Sequence, residues 1–167
     1  MRTRLLILIV AALSAAALAA GAGARTDGAA PPKKNIVQTA VAAGQFKTLV
    51  KLVKRAGLAG ALSGKTQLTV FAPTDAAFAK VPQATLNALL KNKAQLRTVL
   101  LYHVVKGRVP AAKVTMMTSA VTLAKQSIAF SVKDGAVFVN DAKVVKANIA
   151  TKNGLIHVID TVLIPSS

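Results

Sequence analysis

The sequence predicts an α+β fold, in which helices with one or two strands come first and a β-meander follows. Apolar residues at helical spacing, framed by capping residues and glycines, dominate residues 35–102. After Met117 the pattern changes to short strands bounded by turn residues. Asp134-Gly135, between two alternating runs, is the strongest hairpin signal in the chain. This segregation of helices from strands favours α+β over a parallel α/β sheet.

Residues 1–24 have the pattern of a secretory signal peptide. Arg2 and Arg4 precede an apolar segment, and small residues follow up to Ala24, where we expect cleavage. The alternative is an uncleaved anchor, which the many alanines disfavour. Glycine, alanine and proline in residues 25–34 then predict a flexible leader, and the folded domain is expected to cover residues 35–165.

Anchoring signals are not found in the sequence. The chain has no cysteine, which excludes disulfides and a lipid-attachment cysteine. The last residues, Ile164–Ser167, lack the hydrophobic tail of a GPI signal. We therefore expect a protein that is exported and released, either outside the cell or within the cell envelope.

The chain is strongly basic. Lysine and arginine total 22 against five aspartates and no glutamate, so the formal net charge is +17. This excess predicts attraction to polyanions, which outside the cell are acidic polysaccharides, phosphate-bearing wall polymers or anionic lipid surfaces. One tyrosine and no tryptophan leave few aromatic platforms, which argues against sequence-specific binding of nucleic acid.

Capping signals divide the first part of the chain into helices. Asn35 is expected to cap the first helix, Thr74 or Asp75 the fourth and Asn92 the last. The predicted helices are Ile36–Ala43, Gln45–Ala56, Leu58–Leu62, a short helix that ends at Phe78, Ala84–Leu90 and Asn92–Tyr102.

The second predicted helix is amphipathic. Its apolar stripe consists of Phe46, Leu49, Val50 and Val53, and its basic side chains are Lys47, Lys51, Lys54 and Arg55. Two interpretations remain open for the basic side: a solvated helix face, which the pattern alone favours, or a contact for a polyanion.

The predicted strands are Leu68–Ala72, Tyr102–Lys106, Ala120–Ala124, Ser127–Val132, Ala136–Val139, Lys143–Lys146 and Asn153–Pro165. In the last of these, Asn153-Gly154 supplies a turn, and Pro165, which has no N–H, ends the ladder. Both faces are mainly apolar, so we expect cover on both sides. His157 and Asp160 interrupt these faces, and each is expected to form hydrogen bonds.

Residues capable of catalysis are scarce. The two histidines and five aspartates match no catalytic or metal-binding pattern. His157 and Asp160 point to opposite faces of one strand, so they cannot share a metal ion unless a bulge intervenes. We predict no catalytic residue, no metal site and no cofactor, and an enzyme is the least favoured class.

Three stretches resemble the signatures of the fasciclin (FAS1) domain. Thr69–Phe78 matches its first homology box, Leu100–Gly107 its Tyr-His motif and Asn153–Asp160 its second homology box. The resemblance implies a helical layer on a wedge of mainly antiparallel strands, with the two boxes as neighbouring core strands and the Tyr-His motif packed nearby. The residues that carry it are Thr69, Phe71, Pro73, Thr74, Asp75, Phe78, Asn153, Gly154, His157 and Asp160.

The resemblance also implies extracellular adhesion or matrix binding without enzymatic activity, and the chain is similar to small secreted bacterial members. In animal members an Asp-Ile pair before the second box is linked to integrin recognition, and here that pair is Asn148-Ile149. Integrin binding needs a carboxylate to complete the metal coordination of the receptor, so the change argues against an integrin partner. The Tyr-His motif is linked to integrins too, but its apolar setting here favours a structural role.

We therefore predict a secreted adhesion module that binds an anionic extracellular or envelope polymer, or a surface protein, through basic patches. The alternative is a module that binds a lipid or small apolar ligand between the helices and the wedge. The candidate partner-binding residues are Asn148, Ile149, Tyr102, His103, Lys47, Lys51, Lys54, Arg55, Lys146 and Lys152.

Overall fold

The structure is a computed structural model that describes residues 32–165. The predicted signal peptide and most of the predicted leader lie outside these residues. The described helices are α1 (Ile36–Ala43), α2 (Lys47–Ala56), α3 (Ala59–Ser63), α4 (Asp75–Ala79), α5 (Gln83–Lys91), α6 (Lys93–Tyr102) and α7 (Ala111–Val114). The strands are β1 (Leu68–Pro73), β2 (Val104–Lys106), β3 (Ser119–Val121), β4 (Ser127–Lys133), β5 (Ala136–Val139), β6 (Ala142–Thr151) and β7 (Gly154–Ile159).

The seven strands form one sheet in the order β2-β1-β7-β6-β5-β4-β3. Strands β1 and β7 pair in parallel, and the other neighbours pair antiparallel. An antiparallel bridge between Val105 and Thr122 joins β2 to the chain just after β3. The two ends of the sheet therefore meet, and the sheet is nearly closed. This architecture confirms the predicted α+β class.

Two hydrophobic clusters lie on opposite sides of β1 and β7. The first packs helices onto these strands and includes Phe46, Leu49, Val53, Leu96 and Ile156. The second fills the interior of the sheet and includes Phe71, Tyr102, Ile128, Phe130 and Ile159. All residues of β1 and β7 are buried, so the last predicted strand is covered on both sides, as its sequence indicated.

Local signals place most helix ends and turns correctly. Asn35 forms a capping box with Gln38, and the Asn92 side chain accepts hydrogen bonds from two backbone N–H groups at the start of α6. Thr74 rather than Asp75 caps α4. Asp134 and Gly135 both have positive φ, 51° and 76°, as a two-residue hairpin turn requires.

The last strand is shorter than predicted, because β7 ends at Ile159 and not at Pro165. The backbone and side chain of Asp160 bond Lys143, and the N–H of Leu163 donates to Nε2 of His103 at 2.9 Å. Beyond Ile159, the Asp160 carboxylate and the His103 ring thus supply hydrogen-bond acceptors in place of a neighbouring strand. The Asp160 side chain is 37% exposed rather than embedded, and it lies 3.7 Å from the Lys80 ammonium group.

Several other boundaries differ from the predictions. Helix α2 begins at Lys47 instead of Gln45, β2 begins at Val104, and β3 ends at Val121. Strand β6 extends to Thr151 because it follows β7 through two register shifts. Helix α7 was not predicted, since four residues carry almost no periodic signal.

The end of the predicted leader belongs to the folded unit. The carbonyl of Lys34 accepts a hydrogen bond of 2.9 Å from the N–H of Lys152, in the turn between β6 and β7. Lys34 is therefore tied to the sheet, one residue before the predicted start of the domain, while the boundary of the leader stays a prediction.

Candidate functional site

The two homology boxes lie side by side as β1 and β7, paired from Leu68 with Gly154 to Pro73 with Ile159. Thr69 is fully buried, and its hydroxyl donates to the carbonyl of Gly107 at 2.7 Å. The same hydroxyl accepts from the N–H of Val109 at 2.8 Å. Thr69 therefore holds the segment that follows β2 against the central strands.

Asn153 links three parts of the chain through one buried amide. Its Oδ1 accepts from the N–H of Ile36 at 3.0 Å, and its Nδ2 donates to the carbonyl of Leu62 at 2.7 Å. The start of α1 and the last turn of α3 are thereby fixed to the turn between β6 and β7. Asn153 is 3% exposed, so water does not compete for these bonds.

Position 154, at the start of β7, requires glycine because no side chain fits there. A Cβ atom at this position would lie 1.7 Å from the carbonyl oxygen of Leu68 on the neighbouring strand. Glycine thus permits the close approach of the two central strands.

His157 is buried on β7 and uses both ring nitrogens. Nε2 lies 2.8 Å from the carbonyl of Val109, which can only accept, so Nε2 carries the proton. Nδ1 accepts from the N–H of Asn148 at 3.3 Å. The ring also stacks on Phe71, with centroids 5.4 Å apart. Burial lowers the pKa of His157, although the bond to the Val109 carbonyl acts in the opposite direction.

The Tyr-His motif is buried, so neither side chain is presented to a partner in this conformation. Nδ1 of His103 donates to the carbonyl of Val99 at 2.8 Å, and Nε2 accepts from Leu163. Burial lowers the pKa of His103 to about 4 despite the opposing effect of the Val99 carbonyl. The hydroxyl of Tyr102 donates to the carbonyl of Ser127 and accepts from Asn140. The proposed partner contact through this pair stays a prediction.

The end of the first box supports helix α2. The carboxylate of Asp75 accepts from the N–H of Thr48 at 2.8 Å and from the N–H of Lys47 at 3.2 Å. Burial raises the pKa of Asp75, but these hydrogen bonds outweigh it and the pKa is lowered overall. Pro73 ends β1, and Phe78 packs in the cluster beneath the helices.

Asn148-Ile149 lies at a bulge of β6. Asn148 has a positive φ of 58°, and its Oδ1 accepts from the N–H of Ala111 at 2.8 Å, at the first turn of α7. Ile149 is half-buried against the cluster beneath the helices. The structure thus gives both residues a local structural role, and partner binding through them stays a prediction.

The basic residues of α2 are exposed as a group. Lys47, Lys51 and Lys54 line a shallow groove of about 330 Å³ between α1 and α2, whose other walls include Ala40 and Val41. Arg55 is exposed in the last turn of the helix, where a cation also complements the helix dipole. Lys146 on β6 and Lys152 in the turn between β6 and β7 are exposed as well, but neither lines this groove.

A second basic surface was not predicted. Lys33, Lys65 and Lys152 line one cleft, together with polar residues at the start of α1. Only Lys152 is among the predicted binding residues. No local signal marks the other two, because the cleft assembles residues from three distant parts of the sequence.

The described residues contain no group of three or more His, Asp or Glu side chains that could hold a metal ion. Within residues 32–165, no helix combines the length and the apolar character that crossing a membrane requires.

Comparison with known proteins agrees with this geometry. The fasciclin domain family matches residues 44–165, which is most of the chain. The chain therefore belongs to the fasciclin domain family. The fold is also similar to the FAS1 domain pair of the insect cell adhesion molecule fasciclin I, with a TM-score of 0.62, 21% sequence identity, and coverage of 75% of this chain and 47% of that one.

Two bacterial relatives share more of the sequence. Protein sll1483 of Synechocystis sp. is 47% identical over 132 residues, which are 78% of this chain and 73% of the relative. Immunogenic protein MPB70 of Mycobacterium bovis is 37% identical over 127 residues, which are 76% of this chain and 61% of the relative. The predicted resemblance to bacterial fasciclin proteins is confirmed.

Proposed function

We propose that this protein is an exported, non-enzymatic adhesion module that binds anionic extracellular or envelope polymers through its basic surface. The observation that carries the proposal is the large excess of exposed basic side chains over acidic ones among the described residues. Among residues 32–165, one ion pair is present, between Lys80 and Asp160. The same residues contain 19 lysines and arginines against four aspartates, so most of their positive charge is available to an anionic partner.

The basic face of α2 is well suited to a long polymer. Its lysines project from a helix that is packed on the core through Leu49, Leu52 and Val53 and capped by Asp75. A rigid support lowers the entropy lost when a flexible polymer binds several charges at once. Such contacts are individually weak and become strong only in number.

Binding rather than catalysis is further supported by the histidines. Each imidazole bonds a backbone carbonyl through one nitrogen and a backbone N–H through the other. Neither ring retains a free nitrogen for proton transfer or metal ligation. We therefore assign both histidines a structural role, as hydrogen-bond partners of the backbone.

A lipid-binding function has less support from the geometry. The cavity between the helices and the sheet is lined by residues such as Val37, Val53 and Ile156, but its volume is about 30 Å³. That space suits a solvent molecule and not an acyl chain. The groove on α2 is larger, but lysines occupy one side of it.

The experiment is a salt titration of binding to heparin and to polygalacturonate. Because exposed charges are screened, we expect the affinity to fall steeply as the salt concentration rises from about 0.05 to 0.5 M. Affinity that stays constant over this range would contradict the electrostatic mechanism. A neutral polymer such as dextran serves as the ligand control.

The contribution of α2 is tested with the triple variant Lys47→Gln, Lys51→Gln, Lys54→Gln. We expect binding of long polymers to weaken by about tenfold, since three exposed contacts of roughly 0.5 kcal/mol each are lost. The control variant Lys125→Gln, Lys133→Gln, Lys143→Gln removes the same charge elsewhere on the described surface. Equal losses in both variants would show that α2 has no special part in binding.

A further inference from the structure

The cleft between the start of α1, the end of α3 and the turn after β6 is a second surface of defined chemistry. It has a volume of about 530 Å³, within the range typical of small-ligand sites. Its lining residues are Lys33, Asn35, Gln38, Ser63, Gly64, Lys65, Lys152 and Asn153. We define these residues as the three-lysine cleft.

The walls of the three-lysine cleft are fixed to one another. The amide of Asn153 bonds Ile36 on one wall and Leu62 on another. The carbonyl of Lys34 bonds the N–H of Lys152 at 2.9 Å, which attaches the segment that carries Lys33. The backbone segments next to the three lysines are therefore joined to one another in the folded chain, which lowers the cost of binding a ligand.

The cleft offers hydrogen-bond donors and positive charge. Lys33, Lys65 and Lys152 are exposed, and no acidic residue lines the cleft. In the capping box, Oδ1 of Asn35 and Oε1 of Gln38 each accept a backbone N–H. Their two NH₂ groups have no protein acceptor within residues 32–165 and can donate to a ligand.

This combination fits an acidic sugar better than the other anionic ligands. The ammonium groups suit carboxylates or sulfates, and the amides suit the hydroxyl and ring oxygens of a sugar. No aromatic side chain lines the cleft to stack on a neutral sugar ring. We propose that the three-lysine cleft binds acidic sugar residues of an anionic polysaccharide. This proposal rests on the proposed function and identifies the site that binds the sugar units of the polymer.

The test uses short ligands that occupy one cleft and cannot span the surface. Calorimetry at low salt measures binding of tetragalacturonate and of a heparin tetrasaccharide, which separate carboxylate from sulfate recognition. We expect at least one of them to bind, and the variant Lys33→Gln, Lys65→Gln, Lys152→Gln to weaken it by about tenfold. The charge-matched variant Lys47→Gln, Lys51→Gln, Lys54→Gln should change it by less than about threefold.

A single substitution probes the neutral part of the cleft. Gln38→Glu keeps the acceptor of the capping box but replaces an NH₂ donor with a carboxylate. We expect tetrasaccharide binding to weaken by about tenfold, because the new carboxylate repels the anionic ligand. Gln83→Glu, in the first turn of α5 and outside the cleft, is the control and should leave binding unchanged.

The two proposals fail in different ways. If long polymers do not bind the wild-type protein, the proposed function itself is wrong. If long polymers bind but neither tetrasaccharide does, or if both triple variants weaken the tetrasaccharide equally, only the cleft proposal is overturned. Tripolyphosphate binding more tightly than both tetrasaccharides would overturn the assignment to sugars.

Discussion

At the scale of single residues, two contacts explain the first two residues of the second homology box. Gly154 allows the backbones of β1 and β7 to approach, and Asn153 joins two helices to the turn before β7. Neither requirement involves a ligand. The box is thus explained by the assembly of the core.

We expect Gly154→Ala to destabilise the protein by about 3 kcal/mol or more, since the added Cβ would lie 1.7 Å from the carbonyl oxygen of Leu68. The free energy of unfolding in urea measures this loss. Gly60→Ala is the control, because its Cβ meets nothing within 4 Å and alanine is the better helix former. Equal stability of Gly154→Ala and the wild type would contradict the close approach.

We expect Asn153→Asp to cost about 2–4 kcal/mol, because a buried carboxylate cannot donate to the carbonyl of Leu62 and carries an unpaired charge. Asn92→Asp changes the same atoms at an exposed N-cap, where aspartate caps equally well, and should be neutral. Thermal unfolding of the two variants compares the sites. A small effect at Asn153 would show that its amide bonds are not formed in solution.

At the scale of elements, helix α2 depends on a residue outside itself. Its N-cap residue, Phe46, forms no side-chain capping bond, and Asp75 supplies the acceptors from the start of α4. The first box therefore determines where α2 begins. The basic surface of α2 is positioned by that contact.

We expect Asp75→Asn to lower the free energy of unfolding by about 1–2 kcal/mol, since one of the two carboxylate acceptors becomes a donor that faces an N–H group. Asp134→Asn removes the same charge in a hairpin turn that asparagine suits equally well. Chemical denaturation at neutral pH distinguishes the two. Equal losses would indicate a general charge effect in place of capping.

At the scale of the whole molecule, two buried neutral histidines make stability depend on pH. The pKa of His103 is lowered from 6.5 to about 4, and that of His157 is lowered as well. The unfolded chain therefore takes up protons before the folded one does. The stabilisation by the neutral rings is complete above about pH 6.5 and declines as the pH falls towards 4.

For His103 alone the loss amounts to about 3 kcal/mol across this range. Asp75 and Asp160, whose pKa values are lowered, add a further loss only below about pH 4. Urea unfolding at pH 8, 6, 5 and 4 measures the profile, and His157→Gln should flatten part of it. Stability that is constant from pH 7 to 4 would contradict neutral, buried histidines.

Local sequence signals correctly predicted the features that depend on neighbouring residues. The capping box of Asn35, the cap of Asn92 and the Asp134-Gly135 turn are local, so their signals could be read directly. The apolar pattern of the last strand also showed that it is covered on both sides. The three box motifs then identified the family, because their order and spacing reflect one core.

Features that depend on contacts between residues distant in sequence could not be predicted from local signals. Strand β7 ends at Ile159, and beyond it the Asp160 carboxylate bonds the N–H of Lys143 and the N–H of Leu163 bonds the His103 ring, 60 positions away. Asn153 reaches Ile36 across 117 positions, and that bond brings Lys33 and Lys152 to one cleft. A solitary lysine carries no local signal. Its role depends on which other charges the fold places beside it.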